Sequence, residues 1–199
     1  MSRVVLSIGS NLGDRLARLQ AAVDGLGDSV KAVSPVYETD AWGGVAQPAF
    51  LNAVVIADDN RLDAHGWLHR AQALELDNER VRTKKWGPRT LDVDLICCFG
   101  VPLPGHGISG HGISGQGISG HGISAEEIFS HDAELTLPHP FAHERAFVLL
   151  PWLAIDPAAQ LTVGGQSKPV QELLSQLDPT ERDGVRPTVL TLTFRGSRR

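Results

Sequence analysis

Cysteine and long apolar runs are both scarce in this chain. The two cysteines, Cys97 and Cys98, are neighbours. Neighbouring side chains on a strand point to opposite faces, so this pair cannot staple distant segments together, and such usage is typical of a reducing compartment. No stretch approaches the roughly 18 apolar residues of a membrane-spanning helix, and the segment from Met1 to Asp14 is too polar for a signal peptide. We therefore expect a cytoplasmic protein.

Aromatic residues and positive charge are also limited. Aromatic side chains make up 6% of the 199 residues, and the formal net charge is -5. This composition argues against a nucleic-acid or anionic-membrane surface. A local basic cluster suits a small anionic ligand, and it comprises Arg80, Arg82, Lys84, Lys85 and Arg89. The length fits one domain with an ample core, so we expect a single domain over residues 1–199.

Hydrophobic periodicity and turn residues predict a strand, a helix, two strands, a helix and a further strand. In chain order these are Arg3 to Ser10, Leu12 to Leu26, Val30 to Thr39, Phe50 to Ala57, Asp63 to about Arg80, and the strand that carries Asp92 and Asp94. This βαββαβ order is typical of ferredoxin-like α+β folds, in which helices pack on an antiparallel sheet. Beyond this core we predict a helix-like segment from Ala142 to Ile155, a helix from Val170 to Leu177 and a strand from Thr188 to Phe194.

A low-complexity insert follows the strand with the aspartates. The sequence Gly105-His106-Gly107-Ile108-Ser109 recurs four times in tandem to Ser124, with Gln116 in place of one histidine. Because frequent glycine makes ordering costly, we expect a flexible surface insert at about 105–124. The alternative is a loose metal site at the repeated histidines, although regular spacing in a flexible loop gives no fixed geometry.

The run from Trp86 to Ile96 is the most informative part of the chain. Side chains alternate along a strand, so Asp92 and Asp94 project to one face while their apolar neighbours project into a core. Paired carboxylates repel unless a cation neutralises them, and Mg²⁺ commonly bridges one or two carboxylates to substrate phosphates. Arg89 can donate to phosphate oxygens. The run therefore predicts a site for magnesium and polyphosphate, and the alternative is a solvated strand face.

This run, read as WGPRTLDVDLI, resembles the signature of the 6-hydroxymethyl-7,8-dihydropterin pyrophosphokinase family of the folate pathway. Further segments resemble the same family in the same order, namely Ser7 to Asp14, Tyr37 to Thr39 with Gln47 to Asn52, and Leu135 to Pro140 with Arg145 to Phe147. The resemblance covers roughly residues 3 to 157 apart from the repeat. Agreement of four separated segments is far more specific than the aspartate pair alone.

The resemblance implies an enzyme that transfers the terminal pyrophosphate of ATP to the hydroxymethyl group of the dihydropterin, leaving AMP. It also implies that Asp92 and Asp94 hold two Mg²⁺ ions. Phosphoryl transfer needs aligned reactants and neutralised phosphate charge more than covalent chemistry from the protein, and metals with cationic side chains meet that need. We expect ATP and the pterin as ligands of a monomer, with no nucleic-acid or membrane partner.

The resemblance assigns roles to individual residues. The catalytic set is Arg80, Arg82, Arg89, Asp92 and Asp94. The ATP-binding set is Gln72, Glu75, Arg82, Trp86, Arg89, Leu95, Thr136, His139 and Arg145. The pterin-binding set is Thr39, Asp40, Trp42, Phe50, Asn52, Trp86, Asp92 and Phe147. Several assignments have a structural alternative: solvated positions for the arginines and for the polar helix face, ordinary core for the two phenylalanines, and a purely structural histidine between two prolines.

Some positions depart from the family pattern. The family often has proline and leucine where this chain has Asp40 and Trp42, an aromatic residue in place of Pro140, and a basic residue near Glu134. The loop between Arg82 and Trp86 is about one residue shorter than in some members, so Lys84 and Lys85 are both candidates for its phosphate-binding cation.

Two other classes of function remain open from the sequence. One is a nucleotidyltransferase that uses the same aspartate pair, which would release free pyrophosphate instead of AMP. The other is a ligand-binding or nucleic-acid-binding module without catalysis, for which both carboxylates would be dispensable. The acidic charge and sparse aromatic residues weigh against an RNA-binding sheet.

Overall fold

A computed structural model describes residues 1–40, 47–78, 89–100 and 126–197. Its strands are β1 (Ser2–Ser10), β2 (Val30–Val33), β3 (Tyr37–Thr39), β4 (Phe50–Asp59), β5 (Asp92–Gly100), β6 (Glu126–Ile128), β7 (Ser130–His131), β8 (Thr136–Leu137), β9 (Gln160–Val163), β10 (Gln166–Pro169) and β11 (Val185–Pro187). Its α-helices are α1 (Arg15–Leu26), α2 (Ala64–Asp77), α3 (Ala146–Ile155), α4 (Val170–Gln176) and α5 (Pro179–Asp183). The repeat insert at about 105–124 lies outside the described residues.

Strand β1 lies in the middle of the main sheet, because it pairs with β4 on one side and with β5 on the other. The order is β11-β3-β4-β1-β5-β6, and β2 pairs with the part of β4 beyond β3. All of these pairings are antiparallel. The arrangement of β1, α1, the β2 and β3 segment, β4, α2 and β5 confirms the predicted ferredoxin-like α+β fold.

Two hydrophobic cores cover the two faces of this sheet. The first joins α1 and α2 to one face, with Trp67 and Leu19 fully buried in it. The second joins α3, α4 and β9 to the other face, around Trp152 and Leu149. Each leucine buried in this way stabilises the fold by roughly 1.5–3 kcal/mol relative to exposure. Within the described ranges, none of the helices combines the length and the apolar character that a membrane crossing requires.

Several predicted boundaries were wrong for local reasons. Helix α1 begins only at Arg15, because the Asp14 side chain caps it by accepting from the Ala17 N–H at 3.0 Å, so Leu12 precedes the helix. The predicted strand 30–39 is two strands, since Pro35 between them has no N–H for a ladder. The predicted strand 188–194 is not a strand, because side chains take its backbone groups: the Gln20 amide bonds both N–H and C=O of Thr193.

A bulge in β5 shapes the sheet beside the aspartates. Val5 pairs with Cys97 but Leu6 pairs with Leu95, so Ile96 is an extra residue in the register. Its carbonyl accepts a hydrogen bond from the His139 N–H at 2.8 Å. Bulges commonly re-aim chains next to binding sites, and this one attaches the segment after β8 to the sheet.

Candidate active site

Two cavities meet where β5 begins. The first has a volume of about 270 Å³ and lies on the face of the sheet that carries α3. The second has a volume of about 350 Å³ and lies beside α2. The residues that line both cavities are Arg89, Asp92, Asp94, His139 and Pro140. A pair of carboxylates therefore stands at the junction of two neighbouring binding volumes.

The aspartate pair has the alternation that the sequence predicted. Leu91, Val93 and Leu95 are buried in the first core, whereas Asp92 and Asp94 face the cavities. Their side chains retain 15% and 33% of their exposure, so they are half-buried and do not line a freely solvated strand face. A solvated strand face would leave both carboxylates exposed. Their partial burial instead raises the need for a cation that compensates their negative charge.

Each aspartate is compensated by its own arginine. Arg89 donates from Nη1 to Oδ2 of Asp92, and Arg145 donates from Nη1 to Oδ2 of Asp94 at 3.1 Å. Arg145 is itself buried, and its guanidinium lies 5.9 and 5.6 Å from the ring centres of Phe141 and Phe147. These contacts hold Arg89 beside both cavities and Arg145 beside the first, where polyphosphate oxygens can accept from them.

The donor set fits a hard divalent ion that shares its coordination with a substrate. In the described part of the chain, no group of three or more acidic, histidine or cysteine side chains is placed to hold a metal ion. Two carboxylates alone cannot complete a coordination shell. Mg²⁺ is usually bound in this way, through one or two carboxylates together with substrate phosphates and water.

Glu75 of α2 is a buried residue with two contacts, one to the sheet and one to the second cavity. It is buried, and its Oε1 accepts from the Val93 N–H at 2.9 Å, between the two aspartates. The same side chain lines the second cavity, together with Gln72 of the preceding helical turn. Glu75 therefore fixes the backbone that carries the aspartate pair.

His139 is held at both ring and backbone. The backbone N–H of His139 donates to the carbonyl of Ile96 at the bulge. The ring Nδ1 accepts from the backbone N–H of Phe141 at 3.1 Å. The neutral tautomer that this bond favours carries its proton on Nε2, which lies 3.5 Å from Nη1 of Arg145. Burial, and then the charge of Arg145, lower the pKa of His139 to about 4. The imidazole is therefore neutral at physiological pH.

The first cavity combines aromatic walls with a fixed amide. Phe50, Asn52 and Phe147 all line it. Asn52 donates from Nδ2 to the Thr39 hydroxyl at 2.6 Å, so Thr39, which is buried and lies behind the wall, orients the amide. An amide that shares a cavity with aromatic rings can read the edge of a flat heterocycle by donating and accepting at once. Asp40 also lines this cavity.

Sequence reasoning missed Asn11 as a site residue. Its Oδ1 accepts from the Arg89 N–H at 2.7 Å, while its Nδ2 donates to Gln47 Oε1 and to the Pro48 carbonyl, both at 3.1 Å. Asn11 thereby joins the chain before β5 to the chain before β4. Its place in the Gly9-Ser10-Asn11 turn was the available signal, but the sequence showed no partner for it.

The structure brings most of the predicted site residues together. The second cavity is lined by Gln72, Glu75, Arg89, Leu95, Thr136 and His139, whereas Arg145 lines the first. Thr39 contacts Asn52 and does not line either cavity. The predictions for Trp42, Arg80, Arg82, Lys84, Lys85 and Trp86 fall outside the described residues.

These features define a ferredoxin-like α+β protein whose acidic pair and arginines suit metal-bound polyphosphate beside a flat aromatic ligand. A family model described as 7,8-dihydro-6-hydroxymethylpterin-pyrophosphokinase matches residues 5–157. The chain therefore belongs to this family of enzymes, which confirms the family expected from the sequence motifs.

Curated relatives and solved structures agree with this assignment. The chain is 56% identical over 197 residues to a 2-amino-4-hydroxy-6-hydroxymethyldihydropteridine pyrophosphokinase of Mycobacterium leprae, covering 99% of this chain and 94% of the relative. It is 52% identical to the enzyme of that name from Mycobacterium tuberculosis, covering 94% and 89%. A wild-type Plasmodium falciparum HPPK-DHPS structure gives a TM-score of 0.53 at 13% identity, over 88% of this chain. This chain spans 43% of that longer chain, and the likeness supports the fold alone.

Proposed function

We propose that this chain transfers the terminal pyrophosphate of ATP to the hydroxymethyl group of 6-hydroxymethyl-7,8-dihydropterin. The hydroxymethyl oxygen forms a bond to the β-phosphorus and loses its proton to water, the bond from that phosphorus to the bridging α-phosphate oxygen breaks, and AMP leaves with that oxygen. The observation that carries the proposal is the aspartate pair at the junction of two cavities. Two bound reactants must meet in line for such a transfer, and adjoining cavities provide that proximity.

The second cavity is the proposed ATP site. Its lining combines Gln72, Leu95 and Thr136 with the shared residues His139 and Arg89. Neutral His139 can donate from Nε2 to a phosphate oxygen without a proton being added first. Arg89 and Arg145 supply positive charge on either side of the junction, which offsets the charge of the phosphates during transfer.

The first cavity is the proposed pterin site. Phe50 and Phe147 contact the faces of the bicyclic ring, and Asn52, oriented by Thr39, reads its edge. Asp92 reaches this cavity as well, so the hydroxymethyl group and the phosphates approach the same carboxylate. The ring is thereby placed with its reactive arm directed toward the junction.

Asp92 and Asp94 are the proposed ligands of two Mg²⁺ ions. When bound, the metal neutralises phosphate charge and orients the reacting oxygens. The same proposal includes the remaining assigned residues, which are Arg80, Arg82, Trp42 and Trp86. It includes them because they lie in or near the segments that resemble the family. We also propose that the chain acts as a single-domain monomer in the cytoplasm, with a flexible insert at about 105–124.

The test combines a product assay with variants of the aspartates. Purified protein, ATP, Mg²⁺ and the dihydropterin should yield AMP and pterin pyrophosphate in equal amounts, and a chelator should stop the reaction. Asp92→Asn and Asp94→Asn should each lower turnover about 100-fold or more. Asp28→Asn, in an exposed ion pair with Arg195, is the control and should retain activity. Free pyrophosphate in place of AMP would indicate nucleotidyl transfer, and the absence of any nucleotide product would reject catalysis of this kind.

A further inference from the structure

The C-terminal part of the chain reaches the mouth of the first cavity. The family match ends at residue 157, yet strand β11 (Val185–Pro187) pairs with β3 at the edge of the main sheet. Val185 lies opposite Thr39, and Arg186 lies opposite Glu38. The segment beyond the family match therefore borders the strand that leads into the proposed pterin site.

Arg186 contacts a residue that lines the cavity. Its Nη1 and Nη2 donate to Oδ2 and Oδ1 of Asp40 at 3.1 and 2.8 Å, which is a bidentate ion pair. The Asp40 N–H also donates to the Gly184 carbonyl at 3.2 Å. Backbone and side chain of Asp40 are thus both held by the C-terminal segment, and a bidentate pair fixes direction as well as distance.

Asp40 is also next to the residue that orients the pterin-site amide. Thr39 precedes it and accepts the Asn52 hydrogen bond at 2.6 Å. A shift of the chain at Asp40 would move either the carboxylate at the cavity mouth or the hydroxyl behind Asn52. Both changes act on the first cavity and leave the second cavity unaffected, because neither Asp40 nor Thr39 lines the second.

We propose that Arg186 is a positioning residue for the dihydropterin, which acts by holding Asp40 at the mouth of the first cavity. This inference rests on the proposed function of that cavity as the pterin site. Arg186 is not among the described residues that line the cavity, so its effect passes through Asp40. The C-terminal segment, beyond the family match, thereby becomes part of the specificity of the site.

The ion pair of Arg186 and Asp40 is exposed, so its role in positioning can be tested without a large loss of folding stability. The side chains of Arg186 and Asp40 keep 46% and 68% of their exposure. Exposed ion pairs contribute little to folding stability. The segment is also held without Arg186, because Thr188 donates to the Val36 carbonyl and Thr193 bonds Gln20. Removing the guanidinium should therefore free the Asp40 carboxylate without detaching the C-terminal segment.

The experiment compares steady-state constants of Arg186→Ala and Arg186→Lys with those of the unaltered chain. Arg186→Ala should raise KM for the pterin about fivefold or more, with kcat and KM for ATP changed less than twofold. Arg186→Lys should restore part of the effect, since lysine keeps the charge but not the bidentate geometry. Arg61→Ala removes an exposed arginine that pairs with Asp59, and it is the matched control because neither residue lines the two cavities. Equal changes in both KM values would overturn the proposal.

A double-mutant cycle tests the route of the effect. In an Asp40→Ala background, Arg186→Ala should cause no further loss of pterin affinity, whereas additive losses would show that Arg186 does not act through Asp40. Equilibrium titration with the pterin repeats the comparison without turnover. A chain that binds the pterin but forms no AMP would reject the proposed function and still test Arg186. A chain that neither binds nor reacts would overturn both proposals.

Discussion

The carboxylate of Glu75 accepts a hydrogen bond from the Val93 N–H at 2.9 Å, at the residue between the two aspartates of β5. On the other side of β5, Val93 is paired with Ile8 of β1. Strand β6 meets β5 only along Cys98–Gly100 in the described part of the chain, so a helix side chain takes the place of a strand partner at Val93. The aspartates are therefore held by a contact between α2 and the sheet.

Replacing Glu75 should separate this structural role from any role in binding. Glu75→Gln keeps an oxygen that can accept from Val93, whereas Glu75→Ala leaves that buried N–H without this acceptor. The alanine variant should lose about 1–3 kcal/mol of unfolding free energy, and the glutamine variant less. Urea unfolding gives the stability, and turnover per folded molecule gives the activity. If Glu75→Ala were as stable as Glu75→Gln, the hydrogen bond from Val93 to Glu75 would not stabilise the strand.

Gly9 and Asn52 lie opposite each other across β1 and β4, and the first has no room for a side chain. A Cβ at Gly9 would lie 2.5 Å from Oδ1 of Asn52, although the backbone of Gly9 does not have a positive φ. Gly9→Ala should therefore displace the amide without straining the chain. We expect kcat/KM for the pterin to fall about tenfold or more.

The control for this variant is Gly66→Ala, in the first turn of α2 and outside both cavities. Alanine favours a helix over glycine by about 1 kcal/mol, and the nearest atom to the new Cβ is the Leu62 side chain at 3.1 Å. This variant should leave both KM values unchanged. An unchanged pterin constant in Gly9→Ala would show that Asn52 does not bind the ring.

Local pattern was sufficient to predict the scaffold and the aspartate pair. Alternation along a strand depends only on neighbouring residues, so Asp92 and Asp94 on one face and Val93 on the other follow from the sequence. Spacing of apolar residues similarly predicted the buried stripe of α2. These features are set by the geometry of single elements, which the sequence shows directly.

Contacts between distant segments could not be predicted in this way. The bulge at Ile96 depends on how β1 pairs with β5, and only the bulge explains where His139 attaches. The segment 188–194 has strand-like composition, but its backbone bonds to the Gln20 side chain instead of a ladder. Arg186 gave no signal because its partner is 146 residues away in the chain.

His139 should make stability depend on pH on the acidic side. Its pKa of about 4 in the folded state lies below the ordinary value of 6.5. Between these values the unfolded chain binds the proton more tightly, so stability falls as pH drops from 6.5 to 4, by at most about 3 kcal/mol. Unfolding of His139→Gln should lack this part of the pH dependence. His69→Gln, at an exposed histidine, is the control, and equal slopes in all three proteins would contradict the assignment.

Glu127 of β6 should make folding stability depend on pH in the direction opposite to that of His139. Burial raises its pKa above the ordinary value of 4.5, and the Thr162 hydroxyl donates to only one of its oxygens. The other oxygen, Oε1, is buried with no hydrogen-bond partner among the described residues. The folded chain therefore binds the proton more tightly than the unfolded chain, and the stability from this group is lost as pH rises from 4.5 through the folded pKa.

Glu127→Gln removes the buried charge and keeps an oxygen for Thr162. The variant should be more stable than the unaltered chain by about 1 kcal/mol at pH 8, and the difference should shrink toward pH 4.5, where the glutamate is protonated in the folded state. Urea unfolding across this pH range measures the difference. The neighbouring Glu126 is exposed, so Glu126→Gln should show no such trend. A difference for Glu127→Gln that stays constant with pH would mean that the carboxylate is already well solvated in the folded protein.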